Sequence, residues 1–282
     1  MRLTTRDHDR DAAGLIYVYP VVSRRAGGVS VGVNLNPNRA CNWRCVYCQV
    51  PDLVRGAAPE IDLERLEGEL ATFLEGVLHG GWMERVVPEG SRRLNDVAFS
   101  GDGEPTSSRQ FDRAVERVGG VLERLGLVGE IAVVLITNGS LVHRANVQRG
   151  LRRLAELGGE VWFKLDAGTR EGTRRLNDVD LSPARVEANL RLAASLCRTR
   201  LQTMALAIDG EPPSEHELCA WIELVRRARD QGAAIEDVLL YGLERPSRQP
   251  EAPRLGKLPE AWLAGFASRV ENELGLSVRV HP

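Results

Sequence analysis

Cysteine, lysine and long apolar runs are scarce in this sequence of 282 residues. Five cysteines are too few for a disulfide scaffold of this length, and no apolar run approaches the roughly 18 residues of a membrane-spanning helix. Segment 1–10 lacks the apolar core of a secretory signal, so we expect a soluble cytoplasmic protein. The 37 basic residues nearly balance the 39 acidic ones, which argues against a strongly cationic nucleic-acid binder but leaves a local basic patch open. Because 43% of the residues are hydrophobic, intrinsic disorder is excluded.

Short apolar runs alternate with amphipathic segments along the chain. This alternation is typical of a parallel sheet whose strands are joined by helices. The predicted strands cover residues 29–35, 96–100, 131–136, 161–165, 201–208, 237–243 and 276–280. The predicted helices cover residues 61–78, 109–125, 141–157, 183–197, 215–231 and 260–274, with a polar loop over 80–95. Asp62 is a candidate cap of the first helix. About six strand–helix repeats predict an α/β fold, an open or partial barrel in a single domain.

The barrel is expected to span residues 29–243, between a short N-terminal extension (1–28) and a C-terminal lid loop, helix and strand (244–282). In parallel α/β folds the active site lies where the strands end. Four polar segments follow predicted strands: 41–48, 101–106, 137–139 and 166–168. We therefore expect these four segments to meet on one rim of the barrel.

Three of the five cysteines lie close together in the first of these segments. The cysteines are Cys41, Cys45, Cys48, Cys197 and Cys219. Thiolates suit zinc or iron–sulfur clusters, but a structural zinc site wants four ligands, and no histidine lies near the three cysteines in sequence. Three thiolates on a four-iron cluster would leave one iron open, as a reactive site requires. The other two cysteines fall on predicted helices, where we expect them to be buried core residues.

Lysine occurs only twice, and one of the two, Lys164, lies in a predicted strand. Alternation along residues 161–165 puts Trp162, Lys164 and Asp166 on the face opposite the apolar side chains. Since the apolar face should meet the helices, Lys164 should point into the barrel. It could pair there with a substrate or cofactor carboxylate, or with Asp166 or Glu104. Lys164 is the one candidate catalytic residue.

A loop with three prolines, residues 244–254, follows the last predicted barrel strand. Its position should let it overhang the site, and its prolines should stiffen it. We expect either a substrate-facing lid, with Arg245 and Arg248 toward the substrate, or a plain connector.

The motif Cys-x3-Cys-x2-Cys, with Tyr47 just before the last cysteine, resembles the signature of the radical S-adenosylmethionine (radical SAM) superfamily. The resemblance implies a partial (β/α)6 barrel in which Cys41, Cys45 and Cys48 hold one 4Fe-4S cluster. The open iron would chelate the amino and carboxylate groups of S-adenosyl-L-methionine (SAM). Reductive cleavage of SAM would then give a 5′-deoxyadenosyl radical that abstracts hydrogen from an unidentified substrate.

The resemblance extends to further segments and implies cofactor-binding residues. Residues 99–106 are similar to the family's Gly-Gly-Glu-Pro segment, with Asp102 in place of the first glycine. Residues 137–139 and 165–167 are similar to segments beside the ribose and carboxylate of SAM, and 208–210 weakly matches the adenine segment. The implied cofactor contacts are Tyr47, Gly101, Gly103, Glu104, Thr137, Asn138, Asp166 and Ile208. Glu104 would hold the methionine amine, because a carboxylate suits a cationic amine.

More narrowly, Ser23-Arg24-Arg25 and residues 31–37, together with the motifs above, resemble a group related to wyosine synthetases, which modify tRNA. Those enzymes carry a second cluster on cysteines upstream, and this chain has no cysteine before Cys41. We therefore expect a single-cluster, oxygen-sensitive enzyme. It would need an external one-electron donor of the flavodoxin or ferredoxin type, and tRNA is one possible substrate. Two alternatives remain: an iron–sulfur electron-transfer module and a zinc-stabilised nucleic-acid-binding module, neither of them catalytic.

Overall fold

The computed structural model describes residues 14–23 and 27–282, so Arg24 and Arg25 lie outside the described residues. The strands are β1 (Val18–Ser23), β2 (Gly28–Val33), β3 (Ala40–Cys41), β4 (Val54–Arg55), β5 (Leu94–Phe99), β6 (Ala132–Thr137), β7 (Glu160–Lys164), β8 (Arg198–Met204), β9 (Ala207–Ile208), β10 (Ile235–Tyr241), β11 (Leu255–Gly256) and β12 (Val278–His281). The helices are α1 (Leu63–Leu78), α2 (Trp82–Val86), α3 (Phe111–Arg124), α4 (Ala145–Glu156), α5 (Arg170–Asn177), α6 (Pro183–Leu196), α7 (Glu215–Asp230) and α8 (Glu260–Leu274).

One large sheet carries the fold, with the strand order β1-β2-β5-β6-β7-β8-β10-β12. All neighbours from β2 to β12 pair in parallel, and β1 is antiparallel to β2. Helices connect successive parallel strands, so strand–helix units follow one another from β2 to β10, and β12 is added after α8. This arrangement confirms the predicted α/β partial barrel. All the parallel strands therefore end at the same rim.

The sheet and helix faces follow the alternation and the helical spacing of the apolar residues. In α1, Leu66, Leu70 and Leu74 are fully buried, and each such leucine stabilises the fold by about 2 kcal/mol. Asp62 caps α1, because its Oδ1 accepts a hydrogen bond from the amide of Arg65 at 3.0 Å. In β7 the side chain of Phe163 is buried in the main core, whereas Lys164 is partly exposed on the opposite face. The predicted inward orientation of Lys164 agrees with this alternation.

The two-residue strands β3, β4 and β11 were not predicted, and the strand predicted over 201–208 is divided into β8 and β9. Three further elements differ from the predicted ones. β1 was not predicted, because it contains Pro20, and a proline lacks the amide hydrogen that a strand within a sheet donates. β1 lies at the edge of the sheet, where a proline is tolerated. The segment predicted as a loop contains the short helix α2. α5 was also missed, because its sequence is almost entirely polar and shows no apolar stripe; Thr169 caps it by accepting from the amide of Gly172 at 2.8 Å.

The two cysteines outside the cluster motif have different surroundings. Cys197 is buried, as expected. Cys219 is exposed on α7, so its expected burial is wrong. The buried face of α7 is formed instead by Trp221, Ile222 and Val225, and Cys219 Sγ lies 3.1 Å from a guanidinium nitrogen of Arg269.

A polar network crosses the lower part of the inner barrel face. Glu160 Oε2 lies 2.9 Å from both Arg198 Nη2 and Arg200 Nε, and Glu160 Oε1 accepts from the Trp162 indole at 2.7 Å. Burial would raise the pKa of Glu160, but these hydrogen bonds and charges outweigh it and lower the pKa. Arg200 also pairs with Asp237 on β10. These contacts tie β7, β8 and β10 together below the rim.

No helix among the described residues is long and apolar enough to cross a membrane.

Candidate active site

The loops after β2, β5, β6 and β7 meet at the rim of the barrel. The amide of Asn138, after β6, donates to Glu104 in the loop after β5 at 2.7 Å. The side chain of Asn138 donates to Asn42 in the loop after β2 at 2.9 Å. Tyr47 in that loop donates a hydrogen bond to Asp166, which follows β7. The structure therefore brings together the four segments expected to converge.

The three clustered cysteines are free, partly buried thiols in what we call the cysteine loop, residues 41–50. The amide of Trp43 lies 3.5 Å from Cys41 Sγ, and Asn177 Nδ2 lies 3.3 Å from Cys45 Sγ. Burial raises the pKa of Cys41 to about 12, against the Trp43 amide. Burial also raises the pKa of Cys45 to about 11, against the charge of Lys164. Because these two thiols hold their protons in the metal-free protein, metal binding here must release them.

The chemistry of these donors fits an iron–sulfur cluster. Thiolates are its ligands, and N–H groups directed at the sulfurs, such as those of Trp43 and Asn177, tune such sites. In the part of the chain that the structure describes, no three ligand-type side chains surround one point as they would a single metal ion. Three thiols on one loop can each bind a different iron of a cluster and leave a fourth iron open. Cys41, Cys45 and Cys48 would therefore hold it.

Glu104 is buried and hydrogen-bonded on both carboxylate oxygens. The residue is 3% exposed, and Oε1 accepts a hydrogen bond from the amide of Thr106 at 3.1 Å. The hydroxyls of Thr106 and Thr137 donate to the same oxygen at 2.5 Å, and Oε2 accepts from the Asn138 amide. Burial raises the pKa of Glu104, against these four hydrogen bonds. The carboxylate thus joins the loop after β5 to the end of β6, and its contact with the cofactor amine stays a prediction.

Gly101 and Gly103 allow the loop after β5 to approach the segment before the cysteines. A Cβ on Gly103 would lie 2.1 Å from the carbonyl oxygen of Ala40, and one on Gly101 would lie 2.3 Å from Asn34 Oδ1. Asp102, which stands where the family motif has glycine, accepts from Asn34 Nδ2 at 2.6 Å. These close approaches place residues 101–104 directly against the start of the cysteine loop.

Asp166 accepts hydrogen bonds from three separate segments of the chain. It accepts from Tyr47, from Asn177 Nδ2 at 2.9 Å and from the amide of Met204 at 3.0 Å. Lys164 Nζ lies 3.8 Å from Asp166 Oδ2 and 5.0 Å from the centre of the Tyr47 ring. Burial would lower the pKa of Lys164, but Asp166 and the cysteines outweigh it and raise the pKa. Of the pairings considered for Lys164, the one with Asp166 is present; a catalytic role stays a prediction.

Ile208 lies beside the cysteine loop, in a small apolar cluster with Val46, Tyr47 and Leu206. An adjoining cleft between α5 and the start of α7 has apolar walls formed by Leu176, Met204, Leu206 and Ile208. The cleft offers an apolar surface of the kind that the flat part of a nucleoside packs against. Of the predicted SAM contacts, Ile208 lines this cleft and packs against Tyr47, and the roles of Tyr47, Asp166 and Ile208 in SAM binding stay predictions.

Several site residues were missed in the sequence. Asn36 Nδ2 donates to the Ala40 carbonyl at 2.8 Å, Asn42 Nδ2 donates to Ser140 Oγ at 2.8 Å, and Asn177 bridges Cys45 and Asp166. The repeated asparagines just before the cysteines were an available signal, since asparagine side chains often bond to nearby backbone. Nothing in the sequence around Asn177 marked it.

The loop 244–254 lies against the cysteine loop. Ser247 Oγ donates to the Val46 carbonyl at 2.7 Å, and Gln249 Nε2 donates to the Val50 carbonyl at 3.0 Å. Arg245 Nη1 lies 3.5 Å from Gln49 Oε1. These contacts fasten the loop beside the site, and its service as a substrate-facing lid stays a prediction.

The family model described as the radical SAM superfamily matches residues 35–222 of this sequence. The chain belongs to the radical SAM superfamily. Members of this superfamily use a 4Fe-4S cluster together with SAM, so the predicted family and its cofactors are confirmed. Membership in the narrower wyosine-synthetase-like group stays a resemblance.

The chain is similar to two curated proteins and to one solved structure. A protein named GTPase Obg from Brachyspira hyodysenteriae is 25% identical over 152 residues, covering 54% of this chain and 19% of that protein. UPF0026 protein MJ1312 from Methanocaldococcus jannaschii is 28% identical over 158 residues, covering 56% of this chain and 42% of that protein. The chain thus spans less than half of each of these curated relatives. A solved radical SAM methyltransferase from Sphaerobacter thermophilus superposes with a TM-score of 0.60 at 15% identity, covering 94% of this chain and 68% of that one. That likeness shows the fold.

Proposed function

We propose that this radical SAM protein is an enzyme that reductively cleaves SAM and abstracts a hydrogen atom from a substrate. The observation that carries the proposal is the meeting of the three free thiols with the loops after β5, β6 and β7 on one rim. A bound 4Fe-4S cluster would supply the electron that cleaves the sulfonium of SAM and yields the 5′-deoxyadenosyl radical. Cys41, Cys45 and Cys48 would leave one iron of that cluster open for the cofactor.

The residues around the thiols would bind and orient SAM. Glu104 carries a buried carboxylate beside Cys41, where it would attract the methionine amine. Lys164 brings a positive charge toward Cys45, where it would favour the thiolate form and could meet a carboxylate. The apolar wall at Ile208 would exclude water from the nucleoside. Asn138 and Tyr47 hold the cysteine loop to the strand ends and so keep these groups in register.

Two partners follow from this chemistry. SAM cleavage consumes one electron, so a soluble one-electron donor of the flavodoxin or ferredoxin type would deliver it in the cytoplasm. The substrate would enter the barrel mouth, and tRNA is a candidate because a cleft beside Val46 is lined by Arg44, Arg174, Arg175 and Arg254. Three of these arginines form ion pairs, Arg44 with Asp178 and Glu251, Arg174 with Asp180 and Arg254 with Asp209, so an anionic partner would compete with these carboxylates for them.

Anaerobic reconstitution with iron and sulfide tests the proposal. We expect a brown protein with four irons per chain, and Cys41→Ala, Cys45→Ala or Cys48→Ala variants that do not retain the cluster. Cys219→Ala is the matched control, since this exposed cysteine lies on α7, away from the cysteine loop, and its loss should leave the iron content unchanged. Colourless protein carrying stoichiometric zinc would instead support the zinc-binding alternative.

A further inference from the structure

The backbone of the cysteine loop is hydrogen-bonded to two segments that are distant from it in the sequence. Its amide groups donate to the end of α5: Arg44 N to the Asn177 carbonyl at 3.1 Å and Val46 N to the Leu176 carbonyl at 2.8 Å. Its carbonyl groups accept hydrogen bonds from a segment about 200 residues later in the chain, residues 247–251. We call this segment the brace.

The brace contacts three alternate carbonyl groups of the cysteine loop. Ser247 Oγ donates to the Val46 carbonyl, the amide of Arg248 donates to the Cys48 carbonyl at 2.9 Å, and Gln249 Nε2 donates to the Val50 carbonyl. Ser247 and Gln249 are each 7% exposed, so water has little access to replace them as donors to these carbonyl groups. The contacted carbonyls are therefore that of Cys48 itself and those of Val46 and Val50, two residues before and after it; Val46 directly follows Cys45.

An outer ion pair adds to these internal hydrogen bonds. Both oxygens of Glu251 accept from the guanidinium of Arg44 at 2.9 Å, and Arg44 Nε lies 3.0 Å from Asp178 Oδ2 at the end of α5. Arg44 is in the first spacer of the cysteine motif. It therefore joins the loop, α5 and the brace through one planar, bidentate group.

We propose that the brace holds the cysteine loop in its cluster-binding conformation, with Ser247, Gln249 and Glu251 as positioning residues. The proposal rests on the proposed cluster site. A loop without regular structure loses conformational entropy when its three thiols bind one cluster. Fixing its amides on α5 and its carbonyls on the brace removes much of that loss beforehand, so the cluster is held more tightly.

The test measures cluster retention, not turnover. The double variant Ser247→Ala/Gln249→Leu removes both side-chain donors while keeping similar shapes. After anaerobic reconstitution, an iron chelator is added and the loss of the visible absorbance is followed. We expect the double variant to lose its cluster about tenfold faster than the wild type, the effect of losing two buried hydrogen bonds. Arg248→Ala is the matched control, because Arg248 is exposed and its hydrogen bond to the cysteine loop comes from its main-chain amide, which alanine retains.

A second readout uses the metal-free protein. Alkylation of the three clustered thiols should be several-fold faster in the double variant at a temperature well below its thermal midpoint, where its circular dichroism stays close to that of the wild type. If the double variant does not fold, Glu251→Gln decides instead: this partly exposed ion pair can be weakened without disturbing the core, and cluster loss should again accelerate. Equal rates of cluster loss and of alkylation in folded variants and wild type would overturn the brace. A wild type that binds no cluster would overturn the proposed function itself.

Discussion

Replacing Glu104 by glutamine should destabilise the protein even when no cofactor is present. The two main-chain donors that reach Glu104 lie on different oxygens: the Thr106 amide on Oε1 and the Asn138 amide on Oε2. Hydroxyl groups can reverse their polarity, but a main-chain amide can only donate. Whichever way the glutamine amide is oriented, its NH2 group faces one of these two N–H groups.

The magnitude follows from that one unavoidable conflict. A buried donor left without its acceptor costs about 1–3 kcal/mol, and the position is only 3% exposed, so water cannot substitute. Removing the charge also relieves the burial cost that raises the pKa of Glu104, which offsets part of this loss, so we expect Glu104→Gln to lower the free energy of unfolding by about 1 kcal/mol. In a chain of this size that corresponds to a fall of about 2 °C in the thermal midpoint.

Urea unfolding of the metal-free protein, followed by circular dichroism and by tryptophan fluorescence, measures the change. Glu130→Gln is the control, because Glu130 is exposed and should tolerate the same change in charge within about 0.5 kcal/mol. A Glu104→Gln variant as stable as this control would refute the structural argument.

Three further changes test other parts of the site. Gly103→Ala should destabilise the metal-free protein by about 2 kcal/mol and lower its iron content after reconstitution, because the new Cβ would overlap the carbonyl oxygen of Ala40. The control is Gly68→Ala, which should be neutral or slightly stabilising because Gly68 lies on a helix with open space around it. Lys164→Met should slow alkylation of Cys45 roughly three- to tenfold at fixed pH, because a positive charge that lowers the thiol pKa is lost; an unchanged rate contradicts this. Folding lowers the pKa of Glu160, so the carboxylate stabilises the folded protein at a pH above its unfolded-state pKa, and this stabilisation is lost as the pH falls through its folded-state pKa. Between pH 7 and pH 3 the urea midpoint should therefore fall less for Glu160→Gln than for the wild type.

The regular elements of the barrel could be predicted because apolar spacing reports which face is buried. The helix predicted over 260–274 is present with those bounds, and the α1 leucines lie at helical spacing on one buried face. β1 and α5 could not be predicted in this way. β1 carries a proline that only the end of the sheet tolerates, and α5 is stabilised by a cap and by contacts with distant loops, not by an apolar stripe.

For the site, the cysteines and the rim segments could be predicted because their spacing and position after strands are local in the sequence. The contacts that hold them could not. Ser247 reaches Val46 across about 200 residues, and Asn177 reaches Cys45 across 132 residues, so neither is visible as a motif. The burial predicted for Cys219 was wrong, because it rested on the general tendency of cysteines to be buried and not on the orientation of α7, which exposes this position.

The most direct test of the central claim is the formation of 5′-deoxyadenosine by the reconstituted protein. The protein, reduced with dithionite under anaerobic conditions, is incubated with SAM, and the products are separated by chromatography and identified by mass. We predict 5′-deoxyadenosine and methionine from the wild type and from Cys219→Ala, and neither from Cys45→Ala. Intact SAM after incubation with a fully loaded, reduced cluster would contradict the account.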